Sequence, residues 1–403
     1  MCENMIYDYI IIGSGIGGAT IFNQLAKKYP NKKILLLEKG NNPKYILEGK
    51  NTQIIYVNGL GGSGIYAVGN GIKIDLTSII NISSYEQKEI YNTIEKELKI
   101  NIVPKKYIDT TSLNILDNYN YNLTPKYIDF FKCTLCGDCA SVLCSAKWTP
   151  LNYIKEIKLN NKYNNTKIIT NCNVLSIEKN NEYYIINTIK NNIEKTIMGK
   201  NIFLCAGGIN TPRILKTASN NEEIGKNLFV DLFITVGGYL KNVNLKNSVP
   251  MSIHKKYGNN ILIANHYSKL LLDQYKKRNL GISEKDIYGM MIKIKDENNG
   301  VVENNNSYKE LTEKDKELLN RGEDIVKDIL INNNIKEDSI ISTMIRGSHP
   351  SGTCAIGKVV NKNLEVEDLP NLYVCDSSIF PESLGVPPIL GIIAISKNLV
   401  NNL

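Results

Sequence analysis

The chain has 403 residues, of which 42% are hydrophobic and 22% are charged, and its formal net charge is +8. This composition is typical of a globular protein, and the length exceeds the ~250–300 residues at which one hydrophobic core stops growing, so we expect two intertwined domains. The lysines are dispersed rather than clustered, which argues against nucleic-acid binding, and no apolar run reaches the ~20 residues of a membrane span. Because residues 1–4 also lack the features of a signal peptide, we expect a cytoplasmic protein.

The first predicted elements are a strand, a glycine-rich turn, a helix and a second strand. Residues 7–12 (YDYIII) have the composition of a buried parallel strand, and residues 19–28 are predicted to form a helix. The turn between them, residues 13–18, reads GSGIGG and fits the pattern G-x-G-x-x-G. Residues 33–37 (KILLL) form the second predicted strand, which leads into Glu38. Together these elements are typical of a dinucleotide-binding unit.

Each residue of this unit has a physical role in binding a dinucleotide. Gly13 permits the tight turn, Gly15 lets the backbone approach a pyrophosphate, and Gly18 allows helix and strand to pack closely. The helix N-terminus offers free N–H groups and a partial positive charge to the phosphates. Glu38 can accept hydrogen bonds from the adenosine ribose hydroxyls. The unit by itself does not distinguish FAD from NAD.

The next segments along the chain are less specific. Residues 59–64 (GLGGSG) form a second glycine cluster, which can bring more backbone N–H groups to a pyrophosphate or flavin, or can be a flexible surface loop. Residues 80–127 contain a predicted helix at 85–99 and are interpreted as a cap near the cofactor. Residues 167–202 alternate short strands with polar turns, which predicts an antiparallel sheet segment.

Four cysteines lie close together with the spacing C-x2-C-x2-C-x4-C: Cys133, Cys136, Cys139 and Cys144. The run is similar to the start of a bacterial ferredoxin motif, with one extra residue before the last cysteine, which favours an iron–sulfur cluster. A four-thiolate zinc site and a set of free or redox-active thiols are the alternatives. If the bound dinucleotide is a flavin, an iron–sulfur cluster would give electrons a route from it to an electron-carrier protein.

The segment 232–344 is expected to bind the substrate. Strands are predicted near residues 233–240, 260–266 and 288–294, and an amphipathic helix at 310–331. This segment carries no readable specificity motif. Its shortness suggests an open site or one completed by a partner, and homo-oligomerisation is a hypothesis.

The C-terminal part of the chain carries the most specific motifs. Residues 348–357 read SHPSGTCAIG, and residues 371–399 read NLYVCDSSIFPESLGVPPILGIIAISKNL. They resemble the end of the glucose–methanol–choline (GMC) oxidoreductases, where H-x-x-G-T-C precedes a strand running into D-x-S, a proline-containing turn and a helix. Residues 59–71 (GLGGSGIYAVGNG), 201–215 (NIFLCAGGINTPRIL) and 224–228 (IGKNL) resemble three further family segments, in the family's order.

The resemblance implies an α/β fold with a discontinuous Rossmann-like FAD-binding domain made of residues 1–75, 133–231 and 345–403. An antiparallel-sheet α+β substrate domain, residues 232–344, would cover the flavin, with residues 76–132 as a cap or lid. Some members attach FAD through a histidine in the second glycine segment. This chain has none there, so we expect non-covalent FAD.

The resemblance also assigns residues to the cofactor through their places in these motifs. Those expected at the pyrophosphate, ribose and adenine are Gly13, Ser14, Gly15, Gly18, Glu38, Lys39 and Val174. Those expected along the phosphate and flavin side are Gly61, Gly62, Ser63, Gly69, Asn70, Ala206, Gly207, Asp376, Ser377, Pro388 and Ile389. The helix after Pro388 is expected to direct its N-terminus at the flavin N1–C2 carbonyl, where negative charge develops on reduction.

The chain has three histidines, and only His349 lies in one of these motifs. The resemblance implies that His349 takes the hydroxyl proton while hydride leaves the substrate carbon, a role that suits an imidazole with an ordinary pKa of ~6.5. The family usually adds a second His or Asn after the D-x-S strand, where this chain has Pro387.

Three explanations for this missing partner stay open. His349 can work with water alone, another residue such as Tyr66, Asn70 or His266 can replace the partner, or the flavin chemistry differs. We expect an FAD-dependent dehydrogenase acting on a CH–OH group. The alternatives are a flavin–iron–sulfur reductase that reduces a double bond with electrons from a partner protein, and a non-enzymatic flavin- or zinc-binding protein.

Overall fold

The computed structural model describes residues 5–403, so the expectation about residues 1–4 lies outside the described residues. The helices of the described range are α1 (Ile16–Lys28), α2 (Ser84–Leu98), α3 (Thr110–Asn118), α4 (Pro150–Lys158), α5 (Gly207–Leu215), α6 (Lys269–Lys277), α7 (Glu313–Asn332) and α8 (Ile389–Asn401). Its strands are β1 (Ile6–Ile12), β2 (Ile34–Leu37), β3 (Lys44–Glu48), β4 (Gln53–Asn58), β5 (Asn101–Ile102), β6 (Asn122–Leu123), β7 (Pro125–Lys126), β8 (Thr166–Ile169), β9 (Asn173–Asn180), β10 (Tyr183–Lys190), β11 (Ile193–Leu204), β12 (Leu232–Tyr239), β13 (Ile253–Tyr257), β14 (Ile261–Asn265), β15 (Ile287–Ile294), β16 (Val301–Val302), β17 (Ser307–Tyr308), β18 (Ile341–Ser342), β19 (Arg346–Gly347) and β20 (Leu372–Val374). Within this range, no helix combines the length and the apolarity that crossing a membrane requires.

The first sheet has, among residues 5–403, seven strands in the order β8-β2-β1-β11-β10-β9, with β20 also paired to β11. The strands β8, β2, β1, β11 and β20 run parallel, whereas β9 and β10 add an antiparallel extension. The strands predicted at residues 7–12 and 33–37 are confirmed as β1 and β2. Every residue of β2 is buried, which explains why its sequence ILLL lacks polar alternation. The segment 167–202 is antiparallel as predicted from β9 onward, but β8 pairs in parallel with β2.

Helix α1 packs against the first sheet, α4 and α8, and it begins three residues earlier than predicted. Its first turn contains Gly17 and Gly18, whose backbones lie in tight contact with neighbouring chain segments. A Cβ atom on Gly18 would lie 1.9 Å from the Gly13 carbonyl oxygen, and one on Gly17 would lie 1.9 Å from that of Cys375. Glycine at both positions therefore allows α1 to approach β1 and the loop after β20.

The second sheet has nine strands within the described range, in the order β3-β4-β19-β12-β15-β14-β13-β6, with β18 also paired to β12. Its pairs are antiparallel except β4 with β19. The strands predicted near residues 233–240, 260–266 and 288–294 are confirmed as β12, β14 and β15. β3 and β4 were not predicted.

Helix α7 packs across β12, β14 and β15 and covers one face of the second sheet. It starts at Glu313 rather than at residue 310 because Thr312 caps it: the Thr312 hydroxyl accepts from the Asp315 N–H, and the Asp315 carboxylate accepts from the Thr312 N–H. Gly322 lies against Ile292, where a Cβ atom would approach a side-chain carbon to 2.4 Å. The opposite face of the sheet is therefore the one left for a ligand.

The two largest hydrophobic cores of the described residues correspond to the two sheets, and the predicted cap, residues 76–132, contributes to both. The helix predicted at 85–99 is confirmed as α2, which packs on α8, and Tyr91 and Ile94 belong to the first core. Tyr107 and Ile115 belong to the second core. The strands β3 and β4 pair in the second sheet although they come from the predicted cofactor segment 1–75. The exact domain boundaries stay a prediction.

Candidate functional site

A cavity of about 1490 Å³ lies between the two sheets and is lined by residues of both. Parallel strands of the first sheet end at this cavity: β1 leads to Gly13, β2 to Glu38, β11 to Ala206 and β20 to Asp376. Ligands of open α/β sheets usually bind beyond the carboxyl ends of such strands. The motifs from both ends of the chain thus meet at one edge of the sheet.

The two glycine segments form a backbone cradle at the start of α1. Gly13 has φ +97°, and no side chain caps α1 at Gly15, which leaves the first N–H groups of the helix free for a ligand. A Cβ atom on Gly15 would meet no protein atom within 4 Å, so it would project into the cavity. Gly62 lies so close that its own Cβ atom would be 3.0 Å from the Gly15 Cα atom. The cradle has the narrow, side-chain-free shape that a pyrophosphate requires.

Glu38 is buried beside this cradle and joins the two glycine segments. Its Oε2 atom accepts hydrogen bonds from the Ser14 N–H (3.0 Å) and the Ser14 hydroxyl (2.6 Å), and its Oε1 atom accepts from the Gly40 N–H (2.9 Å). The Ser14 Oγ atom in turn accepts from the Gly61 N–H at 3.0 Å. The carboxylate keeps acceptor capacity for a further donor, since it offers about four lone-pair positions.

The C-terminal segments line the other end of the cavity wall that the first sheet provides. Asp376 accepts hydrogen bonds from the Gly207 N–H (2.8 Å) and the Thr211 hydroxyl (2.6 Å), and burial raises its pKa. The Asp376 carboxylate therefore organises the backbone around Gly207, where a Cβ atom would again meet open space. Helix α8 begins at Ile389 with Pro388 as its uncapped N-terminal residue, and both line the cavity.

Most residues predicted to bind the cofactor line this one cavity: Gly13, Ser14, Gly15, Glu38, Lys39, Gly62, Ser63, Asn70, Val174, Ala206, Gly207, Asp376, Ser377, Pro388 and Ile389. Three predicted residues lie behind its wall. Gly18 packs α1 against β1, Gly61 donates to Ser14, and Gly69, with φ +86°, lies against a side chain of the second core. Contact between these residues and a cofactor remains a prediction.

His349 lines the cavity on the side of the second sheet, just after β19. Its Nδ1 atom lies 2.9 Å from Asp231 Oδ2 and 3.0 Å from Lys293 Nζ, and Lys293 Nζ lies 2.6 Å from the same carboxylate oxygen. The Ser383 hydroxyl donates to the other Asp231 oxygen at 2.9 Å. The Nε2 atom of His349 has no hydrogen-bond partner within residues 5–403, which leaves it for a ligand.

The charges around His349 favour a neutral imidazole. Burial would raise the pKa of Asp231, but the ammonium of Lys293 and the hydrogen bond from His349 hold it at about 2. Burial and the nearby ammonium lower the pKa of His349, partly offset by the Asp231 carboxylate. A buried Lys–Asp ion pair therefore stands beside an uncharged ring that can accept a proton.

Asp231 and Lys293, the charged residues beside His349, are residues that sequence reasoning missed. The proposed substitutes for the absent partner, Tyr66, Asn70 and His266, all line the cavity, as does Pro387. The charged groups beside the His349 ring are instead Asp231, which can accept the Nδ1–H, and Lys293, whose ammonium pairs with the same carboxylate. A signal was present in the sequence, because Lys293 is the one charged residue in the fully buried strand IYGMMIKI.

The other two histidines line the same cavity. His254 Nδ1 lies 2.8 Å from the Thr124 hydroxyl, and burial, aided by nearby lysines, lowers its pKa to about 4. His266 Nδ1 lies 3.1 Å from the Thr235 hydroxyl, and burial together with the charge of Arg346 lowers its pKa to about 4. All three histidines of the chain are therefore expected to be uncharged at neutral pH.

The open face of the second sheet supplies a row of cross-strand neighbours to the cavity wall. Arg346 on β19 pairs with Phe233 on β12, which pairs with Lys293 on β15, and Lys293 pairs with Leu262 on β14. All four line the cavity. The guanidinium carbon of Arg346 lies 4.9 Å from the centre of the Phe233 ring. The wall therefore carries one cation on each of the two strands, β19 and β15, that flank Phe233 on β12.

The structure does not support the iron–sulfur or zinc interpretation of Cys133, Cys136, Cys139 and Cys144. Residues 5–403 contain no group of three or more His, Cys, Asp or Glu side chains that could hold a metal ion. Cys136 is exposed, whereas Cys139 is buried, and burial raises the pKa of Cys139 to about 12. The four side chains differ in exposure, and the buried Cys139 is held as a thiol.

Comparisons with known proteins agree with this architecture. The family model of the GMC oxidoreductases matches residues 289–396. An uncharacterized protein of Methanocaldococcus jannaschii is 44% identical over 399 residues, which cover 99% of this chain and the whole of that protein. The crystal structure of pyridoxine 4-oxidase from Mesorbium loti is similar in fold, with a TM-score of 0.76 and 13% identity over 98% of this chain and 99% of that one. The chain belongs to the GMC oxidoreductase family.

Proposed function

We propose that the chain is an FAD-dependent oxidoreductase that oxidises a CH–OH group of a small organic molecule, with His349 as the base. The observation that carries the proposal is the free Nε2 atom of His349, which belongs to the same cavity as the glycine cradle of α1. The family to which the chain belongs typically binds FAD, and the cavity is large enough for a dinucleotide together with a small substrate.

The lining residues fit FAD in one orientation along the cavity. The adenosine ribose would lie at Glu38, the pyrophosphate at the backbone cradle of Gly15 and Gly62, and the flavin ring toward α8 and His349. The uncapped N-terminus of α8 would stabilise negative charge on the flavin pyrimidine. When bound, FAD supplies the acceptor for the hydride that leaves the substrate carbon. The first sheet and α8 would then form the cofactor domain, and residues 232–344 the substrate wall.

Residues of the chain would accept the proton of the substrate hydroxyl and stabilise its charge. The Asp231 carboxylate accepts the Nδ1–H of His349, so that the Nε2 lone pair faces the cavity. The substrate hydroxyl would donate its proton to Nε2 as the hydride leaves carbon, and a C=O group forms. The imidazolium that results is stabilised by Asp231. Lys293 balances the carboxylate charge while the ring is neutral, and this keeps the base available.

The first test is a cofactor measurement followed by a reduction assay. The purified protein should absorb between 350 and 500 nm, and alcohols should bleach this absorbance under anaerobic conditions. The substitution His349→Gln should leave the FAD content unchanged and slow the reduction by about 10²–10⁴-fold, the usual contribution of a general base. Because all three histidines line the cavity, FAD content is a better control than a second histidine variant.

A colourless protein that cannot be reconstituted with FAD would refute the cofactor assignment. Equal reduction rates in the original protein and the His349→Gln variant would refute the role of His349.

A further inference from the structure

We infer that Arg346 binds an anionic group of the substrate, so that the alcohol oxidised at His349 carries a carboxylate or phosphate. The inference rests on the proposed function and names the substrate class of the same site. Arg346 lines the cavity from β19, three residues before His349 in the chain.

Arg346 lacks a partner inside the protein. Its Nε atom is buried without a hydrogen-bond partner, and its guanidinium forms no ion pair or hydrogen bond with the rest of residues 5–403. The Phe233 ring lies against the guanidinium and supports its flat face, which leaves the N–H groups at its edge free. Buried donors are almost always paired in native proteins, so an unpaired one at a cavity wall points to a ligand.

None of the acidic residues that line the cavity within the described range serves as a counter-ion for Arg346. Within residues 5–403, the acids that line the cavity are Glu38, Asp231 and Asp376. Each accepts hydrogen bonds from other protein groups, and Asp231 already neutralises Lys293. The positive charge of Arg346 is therefore uncompensated on the substrate side of the cavity.

The surroundings of Arg346 also strengthen its attraction for an anion. Burial lowers the pKa of Arg346, which reports the loss of water around the guanidinium, although an arginine remains charged. The nearby His266 is uncharged because burial and Arg346 lower its pKa. Lys269, a further cation of the lining, is exposed and solvated at the cavity rim.

A guanidinium fork presents parallel N–H donors that match two oxygens of a carboxylate or a phosphate. A neutral alcohol would leave these donors unsatisfied. The anionic group is bound and not consumed: the proton of the hydroxyl goes to His349 Nε2, the hydride goes to the flavin, and the substrate leaves as the corresponding carbonyl compound with its anion unchanged.

The test is a titration of the FAD-loaded protein with sodium benzoate, inorganic phosphate and neutral benzyl alcohol. Perturbation of the flavin absorbance and the rise in Tm report binding. The original protein should bind at least one of the two anions more tightly than benzyl alcohol, and the preferred anion distinguishes a carboxylate from a phosphate substrate. Arg346→Met should weaken anion binding by about 10–100-fold, as expected for lost hydrogen bonds to a charged group, and leave benzyl alcohol unaffected.

Two further variants complete the test. Arg346→Lys keeps the charge without the fork and should lie between the original protein and Arg346→Met. Arg321→Met removes an exposed arginine of α7, on the far face of the second sheet, and should bind anions like the original protein. Anion binding that is absent, or unchanged in both Arg346 variants, would overturn the inference. Neither outcome would alter FAD content or the effect of His349→Gln, so the proposed function is tested separately.

Discussion

Replacing Asp231 with Asn should strongly destabilise the protein, because it leaves the ammonium of Lys293 buried without a counter-ion. The two side chains are 3% and 4% exposed, and their charged atoms are 2.6 Å apart. Removing one partner of such a pair costs about 3–5 kcal/mol. The alternative for the variant is to release the lysine proton, which for an ordinary pKa of ~10.4 costs about 4.6 kcal/mol at pH 7. Both routes predict that the free energy of unfolding of the variant is about 3–5 kcal/mol lower than that of the original protein at pH 7.

The pH dependence gives the prediction a sign. Below pH ~10, Lys293 keeps its proton in the unfolded Asp231→Asn variant. In the folded variant, the buried and unpaired Lys293 is more stable when it has lost its proton. The unfolded state then binds more protons, so the stability of the variant rises with pH. By pH 9 the deprotonation route costs only about 1.9 kcal/mol, so the gap to the original protein should shrink to about 2 kcal/mol.

Urea unfolding at pH 7 and pH 9 measures both quantities. Asp338→Asn is a matched control, since it breaks an ion pair with Lys336 whose partners are 69% and 66% exposed, and such pairs contribute about 0–1 kcal/mol. The double variant Asp231→Asn with Lys293→Met should recover much of the lost stability, because it removes the buried charge. A loss below about 1 kcal/mol at pH 7, or additive effects in the double variant, would show that the pair is not buried as described.

Other measurements test the remaining parts of the site. Gly15→Val should fold with a stability within about 1 kcal/mol of the original apoprotein, since Gly15 has an ordinary φ and free space around its Cα atom. The variant should nevertheless lose FAD absorbance, because the valine side chain fills the cradle. Retained FAD would contradict the assignment of the cradle to the pyrophosphate. Since burial and Lys293 lower the pKa of His349, the neutral base should persist in more acid solution than for a free histidine, and kcat/KM should fall only below pH ~6.5; a decline that begins above this pH would be inconsistent with that environment. Iodoacetamide at pH 8 should label the exposed Cys136 faster than the buried Cys139, as followed by mass spectrometry, and equal rates would argue against their different burial.

The features that could be predicted from the sequence are encoded in short continuous stretches. Strand β1, its glycine turn and Glu38 follow one another within a few dozen residues, and their hydrophobic pattern and spacing fix their geometry locally. The start of α7 was misplaced by three residues because the pattern of apolar residues does not reveal which polar residue caps the helix. Here Thr312 does so through its contact with Asp315.

The features that could not be predicted depend on the register of distant strands. Lys293 reaches His349 because β15 pairs with β12 at Phe233, two residues after Asp231, and the sequence does not reveal this pairing. Arg346 lies on a strand of two residues, too short to leave a periodic signal. The cysteine spacing could not decide between the alternatives either, because proximity along the chain does not determine which side chains face solvent and which face the core.

The hydrogen-bonded path from the Gly61 N–H through the Ser14 hydroxyl to Glu38 has a consequence for cofactor exchange. The path is closed entirely by protein atoms, so the part of the cleft beside Glu38, where we propose that the adenosine binds, is organised before any nucleotide arrives. Little chain entropy remains to be lost on association. If the proposed cofactor is correct, removal and return of FAD should be reversible, with rebinding in one fast phase, and ADP alone should occupy its half of the cleft without the flavin ring.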